Sequence, residues 1–137
     1  MVEAWVPHLK VERLIVADDE ASANPLMRAA MTMAVPSNVE VRISRIDQTD
    51  FAALAKDDVR SLVLLRDVAA ALAARRQGLP DGPLNIGNVH AGMGRVQVTR
   101  SVFLTGEERI QLSRLAVLGM PATVQSVPSE SPIAILD

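Results

Sequence analysis

Residues 87–95 carry several groups that could bind a phosphoryl group or another anion. The segment holds three glycines, the first of them Gly87, together with Asn88, His90 and Arg95. Glycine permits positive φ angles and lets backbone N–H groups approach an anion closely. Histidine could accept and donate a phosphoryl group, and arginine could hold one. The alternative is a glycine-rich surface connection without a ligand, and the residues alone leave both interpretations open.

A second set of charged residues follows two apolar runs. Asp18 and Asp19 come directly after residues 11–17, and Arg66 comes directly after residues 60–65. The two aspartates could orient a nucleophilic histidine or bind Mg²⁺, and capping a helix is the alternative. Arg66 could hold a phosphate, although an exposed arginine at the start of a helix is also ordinary.

The elements that position these residues alternate along the chain. Aliphatic or alternating runs predict strands over residues 11–17, 39–44, 60–65, 83–86, 101–104 and 122–127. Helical spacing and caps predict helices over residues 21–34, 50–56, 67–76 and 105–119. Asp19 is expected to cap the first of these helices, and a capping box of Thr105 and Glu108 to start the last. This order predicts a three-layer α/β fold, with a mainly parallel sheet and helices on both faces.

Polar groups should collect at one edge of that sheet. Ligands of parallel α/β folds bind beyond the carboxyl ends of the strands. Four segments meet that condition: residues 18–19, 44–45, 66–67 and 87–95. Together they form a mixed rim of acids and cations, which suits a phosphorylated group more than a metal ion alone. His8, the other histidine, is expected on the surface of a helix formed by residues 1–10.

The composition excludes several classes of function. The net charge is −2 and aromatic residues make up 2% of the chain, so nucleic-acid binding is not expected. The chain contains no cysteine, which excludes disulfides and thiolate metal sites. We find no Walker loop, nucleophile elbow or histidine pair at metal spacing, and expect neither a cofactor nor a metal. No apolar run is long enough to span a bilayer and no signal peptide opens the chain, which is compatible with the cytoplasm.

Four stretches carry a resemblance to a known family. Residues 4–20 (Ala-Trp-Val-Pro-His-Leu-Lys-Val-Glu-Arg-Leu-Ile-Val-Ala-Asp-Asp-Glu) and residues 33–39 resemble the early part of the IIB component of the mannose/fructose/sorbose-type sugar phosphotransferase system. Residues 84–90 resemble the Asn-Val-Gly-Gly-Met loop of that family. Residues 97–102 (Gln-Val-Thr-Arg-Ser-Val) are similar to its Gln-Ile-Thr-Lys-Ser-Val segment. Because the similarity runs in register over nearly the whole chain, the protein is identified as a member.

The resemblance implies a cytoplasmic phosphocarrier, a protein-N(pi)-phosphohistidine–sugar phosphotransferase. A IIA protein passes a phosphoryl group to a histidine of IIB. The phosphohistidine then phosphorylates a hexose-type sugar as the membrane components IIC and IID import it. The implied partners are therefore IIA, IIC and IID, with the sugar as substrate. Asp18 and Asp19 would lie beside the histidine, and residues 87–95 near the phosphate.

This sequence departs from the family pattern at its start. The phosphorylated histidine of the family lies in a segment like Arg-Ile-Asp-Asp-Arg-Leu-Ile-His-Gly-Gln, ahead of the helix that leads to Trp5. Neither His8 nor His90 matches that position, so we predict no catalytic residue. The expected rim consists of Asp18, Asp19, Arg66, Gly87, Asn88, His90 and Arg95. A misplaced start codon, a truncated polypeptide and a non-catalytic relative that only binds phosphotransferase partners all remain open.

A single domain over residues 1–137, truncated relative to the family, would lack the first strand of the sheet. Two strands would then flank a vacant slot with unpaired N–H and C=O groups, which are costly when buried. The flanking strands could pair with each other, the C-terminal tail or a second copy could fill the slot, or the chain could stay partly molten. We expect self-association through the gap, and so a homo-oligomer.

Overall fold

The computed structural model describes residues 2–135 and contains eight strands and five helices. The strands are β1 (Arg13–Ala17), β2 (Glu40–Ser44), β3 (Ser61–Leu64), β4 (Leu84–Ile86), β5 (Val96–Thr99), β6 (Val102–Leu104), β7 (Ala122–Val124) and β8 (Ile133–Ala134). The helices are α1 (Val2–His8), α2 (Asp19–Ala23), α3 (Pro25–Met33), α4 (Val68–Arg76) and α5 (Gly106–Val117). Short 3₁₀ turns span Ile46–Gln48 and Ala52–Ala55. None of the helices within residues 2–135 is long and apolar enough to cross a membrane.

The strands form two three-stranded sheets and a hairpin. In the first sheet β1 lies between β2 and β3, and both pairs are parallel. In the second sheet β7 lies between β4, to which it is parallel, and β8, to which it is antiparallel. Strands β5 and β6 pair as an antiparallel hairpin. The predicted α/β class, with mainly parallel strands, is confirmed.

Two apolar clusters cover the two faces of the first sheet. On one face Leu14 and Val16 of β1 pack with Val6 of α1 and Ala21 of α2. On the other face Ala17 belongs to a larger cluster that includes residues of α4, α5, β4, β6 and β7. Adjacent residues of β1 point to opposite faces and both faces are covered, so its aliphatic run is buried throughout. The predicted placement of helices on both faces of the sheet is therefore confirmed.

The helix predicted over residues 21–34 is wrong in its continuity. Asn24 ends α2 and caps α3, its side chain accepting hydrogen bonds from the backbone N–H groups of Leu26 and Met27. Pro25 occupies the first turn of α3, where its missing N–H costs nothing. The prediction that Asp19 caps α2 is also wrong, because the capping side chain belongs to Asp18.

Other helix signals were interpreted correctly. Asp67 caps α4, and its carboxylate accepts a hydrogen bond of 2.8 Å from the N–H of Ala70. The predicted capping box of Thr105 and Glu108 is present at the start of α5. Gly119 follows that helix at φ +91°, a backbone conformation that residues with a side chain rarely adopt.

Three irregular regions differ from the predictions. The short helix expected over residues 50–56 is a 3₁₀ turn, preceded by Phe51, which is fully buried. The connection after β4 is shorter than expected, because β5 begins at Val96 and pairs with β6. The C-terminal tail contributes β8, which was not predicted. Each of these elements is short, at two to four residues per strand or turn, so local propensity carries little signal for them.

Strands β3 and β4 follow each other in the order of strands along the chain, but within residues 2–135 they do not pair with each other. Within residues 2–135, no backbone hydrogen bond links one to the other, and the C-terminal strand β8 pairs with β7 instead. In the structure, therefore, the flanking strands do not pair with each other, and the described part of the C-terminal tail does not fill the slot between them. Self-association through the gap stays a prediction.

Candidate functional site

Asp18 lies at the carboxyl end of β1, and its side chain accepts two sets of hydrogen bonds. Its Oδ1 accepts a hydrogen bond of 3.1 Å from the N–H of Glu20, which caps α2. The carboxylate also accepts from the Arg66 guanidinium at 3.1 to 3.3 Å. The Asp18 side chain is 12% exposed and that of Arg66 is 45% exposed. The pair joins the carboxyl ends of β1 and β3, the place where the fold predicts a ligand.

Arg66 is held by two carboxylates. Besides the contact with Asp18, the Nη1 nitrogen of Arg66 lies 2.7 Å from the Oε2 oxygen of Glu20. The hydrogen bonds that Arg66 donates to Asp18, and then the negative charges of Asp18 and Glu20, raise the pKa of Arg66 above its ordinary value. An incoming phosphoryl group would have to exchange with one of these carboxylates to reach the guanidinium.

Asp19 ties the turn after β1 to the segment after β2. Its Oδ1 accepts a hydrogen bond of 2.9 Å from the backbone N–H of Ile46, and its Oδ2 lies 3.6 Å from Arg45. Arg45 is also paired with Asp47 at 3.1 Å, and this hydrogen bond raises the pKa of Arg45 above its ordinary value. We call the six residues Asp18, Asp19, Glu20, Asp47, Arg45 and Arg66 the carboxylate cluster.

The segment of residues 87–95, which we call the glycine loop, connects β4 of the second sheet to β5 of the hairpin. Of its three glycines only Gly94 has a positive φ, at +75°, so the expectation of positive φ angles holds at one position. The carbonyl of Gly87 accepts a hydrogen bond of 2.7 Å from the Ser126 hydroxyl, which is also 3.0 Å from Ser101. These contacts fasten the start of the loop to the end of β7.

Arg95 fastens the other end of the loop. Its Nε and Nη2 nitrogens donate to the carboxylate of Glu108 at 3.2 and 3.3 Å. Its Nη1 nitrogen donates to the backbone carbonyl of His90 at 3.1 Å. Glu108 also accepts from the backbone N–H of Thr105 at 2.9 Å. Burial raises the pKa of Glu108, but the hydrogen bonds from Thr105 and Arg95 outweigh it, so that its pKa lies below the ordinary value. The capping box of α5 thereby holds the loop arginine in place.

The remaining candidates are exposed. Asn88 and His90 lie at the surface of the glycine loop, and their side chains have no hydrogen-bond partner in the part of the chain that the structure describes. The ring of His8 is in edge contact with Trp5, with centroids 5.9 Å apart, as expected for a surface position on the first helix. Within residues 2–135, neither imidazole therefore has a hydrogen-bond partner that would orient it for phosphoryl transfer.

The structure assembles the predicted rim in two parts. Asp18, Asp19 and Arg66 belong to the carboxylate cluster, whereas Gly87 and Arg95 are fastened within the second half of the chain. No hydrogen bond or ion pair within residues 2–135 joins the two parts. The carboxylate cluster lies at the end of β3 and the glycine loop at the end of β4, and these two strands are not hydrogen-bonded to each other within residues 2–135.

Sequence reasoning placed residues 44–45 at the rim but did not select Arg45 as a site residue. It missed Ser126 and the role of Glu108 toward Arg95. The capping-box spacing found Glu108 as a helix start, but its contact with Arg95 depends on the hairpin of β5 and β6. Among the described residues, including the carboxylate cluster, no three His, Cys, Asp or Glu side chains are placed so that they could hold one metal ion.

Comparison with known proteins gives consistent matches. A family model described as "PTS system sorbose subfamily IIB component" matches residues 1–137. The chain is 26% identical to N-acetylgalactosamine-specific phosphotransferase enzyme IIB component 2 of Escherichia coli K12 over 127 residues, 92% of this chain and 81% of that protein. It is 30% identical to a probable phosphotransferase enzyme IIB component of Streptococcus pyogenes serotype M6, over 83% of this chain and 74% of that protein.

A solved structure has the same fold. The IIBSor domain of the sorbose permease from Klebsiella pneumoniae superposes with a TM-score of 0.85 at 23% sequence identity. The match covers 98% of this chain and 83% of that domain.

Proposed function

This chain belongs to the IIB components of the sorbose subfamily of the sugar phosphotransferase system, and we propose that its two-part rim serves the phosphocarrier step of that system. The family is a phosphotransferase family, whose members take a phosphoryl group from a IIA protein and transfer it to a sugar during uptake. The observation that supports the role of the rim is the position of the carboxylate cluster, at the carboxyl ends of β1 and β3.

In this proposal the rim surrounds a phosphohistidine that the resemblance places in a segment ahead of α1. Asp18, which is largely buried and held in one orientation by Arg66, would orient the imidazole. Arg66 is half-exposed and could exchange Asp18 for the phosphoryl oxygens. The glycine loop would close the opposite side with its backbone N–H groups and Arg95. Asp19 supports the site by holding the segment after β2.

The partners belong to the proposal as well. IIA would donate the phosphoryl group, and IIC and IID would present a hexose-type sugar at the membrane. The protein would work in the cytoplasm, with residues 1–137 forming one domain. The names of the relatives refer to N-acetylgalactosamine and sorbose, both of which fit that class of substrate.

Phosphoryl transfer tests the proposal directly. Phosphorylated IIA would be incubated with residues 1–137 and with a form extended at its N-terminus by a histidine-containing segment of the family pattern. We expect an acid-labile label on the extended form only, and loss of that label when Asp18 is replaced by asparagine. An extended form that takes no label would refute the carrier role, and full labelling of Asp18→Asn would refute the role of Asp18.

The alternative is that residues 1–137 bind phosphotransferase partners without carrying a phosphoryl group. The observation that favours it is that neither His8 nor His90 has an orienting hydrogen bond among the described residues. Titration calorimetry with IIA would then show binding, with no label on the chain. If the chain is labelled and His90→Ala abolishes the label, His90 is the carrier and this alternative is wrong.

A further inference from the structure

Ser126 lies just beyond the carboxyl end of β7 and holds two separate parts of the chain. Its backbone carbonyl accepts a hydrogen bond of 3.0 Å from the indole N–H of Trp5 in α1. Its hydroxyl lies 2.7 Å from the carbonyl of Gly87, the first residue of the glycine loop, and 3.0 Å from the hydroxyl of Ser101. One residue therefore contacts both the first helix and the start of the glycine loop.

The chemistry of these groups fixes the direction of each hydrogen bond. A serine hydroxyl has one proton, and a carbonyl oxygen can only accept. Ser126 therefore donates its hydroxyl proton to Gly87 and accepts that of Ser101. The indole N–H can only donate, so Trp5 occupies the carbonyl of Ser126 and leaves its hydroxyl to the loop. Loss of the indole N–H and loss of the Ser126 hydroxyl would thus break two successive links of one chain of contacts.

The contacts continue from Ser101 into the glycine loop. The N–H of Val89 donates to the backbone carbonyl of Ser101 at 3.0 Å, and the carbonyl of Val89 accepts from the N–H of Phe103 at 3.0 Å. The first and third residues of the loop are therefore both held by contacts that lead back to Ser126.

The helix that carries Trp5 is fixed to the first sheet. Val6, the next residue of α1, is 2% exposed and packs in one apolar cluster with Leu14 and Val16 of β1. The carboxylate cluster begins directly after that strand, at Asp18. The hydrogen bond from Trp5 therefore joins a helix packed on β1 to the residue that holds the glycine loop, across 121 positions of the sequence.

We propose that Trp5 is a positioning residue for phosphoryl transfer, which acts through Ser126 on the glycine loop. Its indole N–H sets the place of Ser126, and the Ser126 hydroxyl sets the start of the loop relative to the carboxylate cluster. A displacement of about 1 Å in a positioning group can lower a rate about 100-fold. The role in transfer rests on the proposed function, whereas the coupling of Trp5 to the loop is a property of residues 1–137 alone.

Hydrogen exchange on residues 1–137 tests the coupling without any phosphoryl transfer. Trp5→Phe removes the indole N–H and keeps an aromatic ring, and it should accelerate exchange at the amides of Val89 and Phe103 at least tenfold. The amides of β1 are internal references and should be unchanged. His8→Ala is the matched control, because it removes the ring whose centroid lies 5.9 Å from that of Trp5 and leaves the indole hydrogen bond in place.

A second variant, Ser126→Ala, tests the other link. It removes the hydroxyl but keeps the carbonyl that accepts from Trp5. Loop exchange should therefore accelerate while the fluorescence of Trp5, the only tryptophan of the chain, stays the same. The double variant should exchange no faster than Ser126→Ala alone, because both changes act on one path. Accelerations that multiply in the double variant would overturn the proposal, and so would unchanged exchange at Val89 in Trp5→Phe.

Phosphoryl transfer separates a positioning role from a merely structural one. In the extended form, Trp5→Phe and Ser126→Ala should each lower the maximal rate of labelling by phosphorylated IIA at least tenfold, with the KM for IIA unchanged within twofold. Ser126→Thr retains a hydroxyl and should restore most of the rate.

Two results would count against the role in transfer, and they are distinguishable. Faster loop exchange with an unchanged labelling rate would overturn the positioning role and leave Ser126 as a mere partner for a half-buried indole N–H. An extended form that takes no label would refute the carrier role, and with it the role of Trp5 in transfer, while the exchange results would still decide the coupling.

Discussion

Strands β1 and β3 are neighbours of similar sequence character, yet they differ in burial. Leu14, Ile15 and Val16 of β1 are 1 to 3% exposed, whereas β3 has no buried residue. Within residues 2–135, strand β1 has a hydrogen-bonded neighbour on each side, whereas β3 has one on a single side. An aliphatic run thus shows that a strand is suited to the interior of a sheet, but only its neighbours decide whether it is buried there.

The carboxyl ends of the two sheets differ in a related way. The carboxylate cluster joins β1, β2 and β3 through side-chain ion pairs close to the strand ends. The glycine loop is fastened mainly through carbonyl groups and one ion pair, that of Arg95 with Glu108. We therefore expect substitutions that remove a charge to disturb the carboxylate cluster, and substitutions that weaken the cap of α5 to disturb the glycine loop.

The largest expected effect compares the two strands directly. Leu14→Ala should reduce the free energy of unfolding by about 2–5 kcal/mol, because it empties a fully buried site. Leu64→Ala, the same change at a half-buried position of β3, should cost less than half as much. Urea unfolding followed by circular dichroism measures both. Equal losses would show that β3 is as well packed as β1.

The next effect concerns the charge buried in β1. Arg13 is 4% exposed and donates to Ser61 at 2.9 Å and to Asp57 at 3.0 and 3.2 Å. Asp57→Asn leaves the buried guanidinium without a counter-charge, and should destabilise the protein measurably but less than Leu14→Ala. Asp58→Asn, one position along, is the matched control and should leave the unfolding midpoint unchanged.

The same pair should make stability depend on pH. The hydrogen bond from Arg13 holds the pKa of Asp57 below its ordinary value. A carboxyl whose pKa is lower in the folded state stabilises the fold above its unfolded pKa, near pH 4, and loses that contribution as the pH falls through the folded value. Thermal midpoints measured from pH 6 to pH 2 should fall less steeply for Asp57→Asn than for the unchanged chain. Parallel curves would contradict this assignment.

A smaller effect separates the glycine loop from the rest of the fold. Glu108→Gln keeps a helix-capping side chain but removes the charge that holds Arg95, and should cost about 1 kcal/mol. Hydrogen exchange within residues 87–95 should accelerate, with no change in β1. Glu107→Gln lies in the same first turn but is exposed, and provides the control. Equal loop exchange in the two variants would show that Glu108 does not hold the loop.

The smallest change in stability is expected at Arg66. Its guanidinium is half-exposed, and exposed ion pairs contribute little to folding. Arg66→Ala should therefore leave the unfolding midpoint within experimental error while reducing phosphoryl transfer to the extended chain. Lysine at the same position should restore part of the transfer, because it retains the charge. A large loss of stability would assign Arg66 a structural role instead.

Much of the fold was predictable because its signals are local. The aliphatic run of β1, the capping box of Thr105 and Glu108, and the cap of α4 by Asp67 each depend on residues within a few positions of one another. The candidate site was predictable only as a set of strand ends. Asp18 and Arg66 could be expected to meet there, since β1 and β3 are parallel neighbours.

The sequence by itself determined the approximate starts of most strands and of α4 and α5, and which residues follow the strands, because backbone preferences and caps act over one or two turns. Only the tertiary structure decided that Glu108 holds Arg95, that Trp5 donates to the carbonyl of Ser126 at 3.0 Å, and that β3 and β4 remain unpaired. The two contacts join residues that are 13 and 121 positions apart, and the two unpaired strands are separated by the whole of α4. They depend on how sheets and helices pack, a balance of burial and hydrogen bonding that no local pattern encodes.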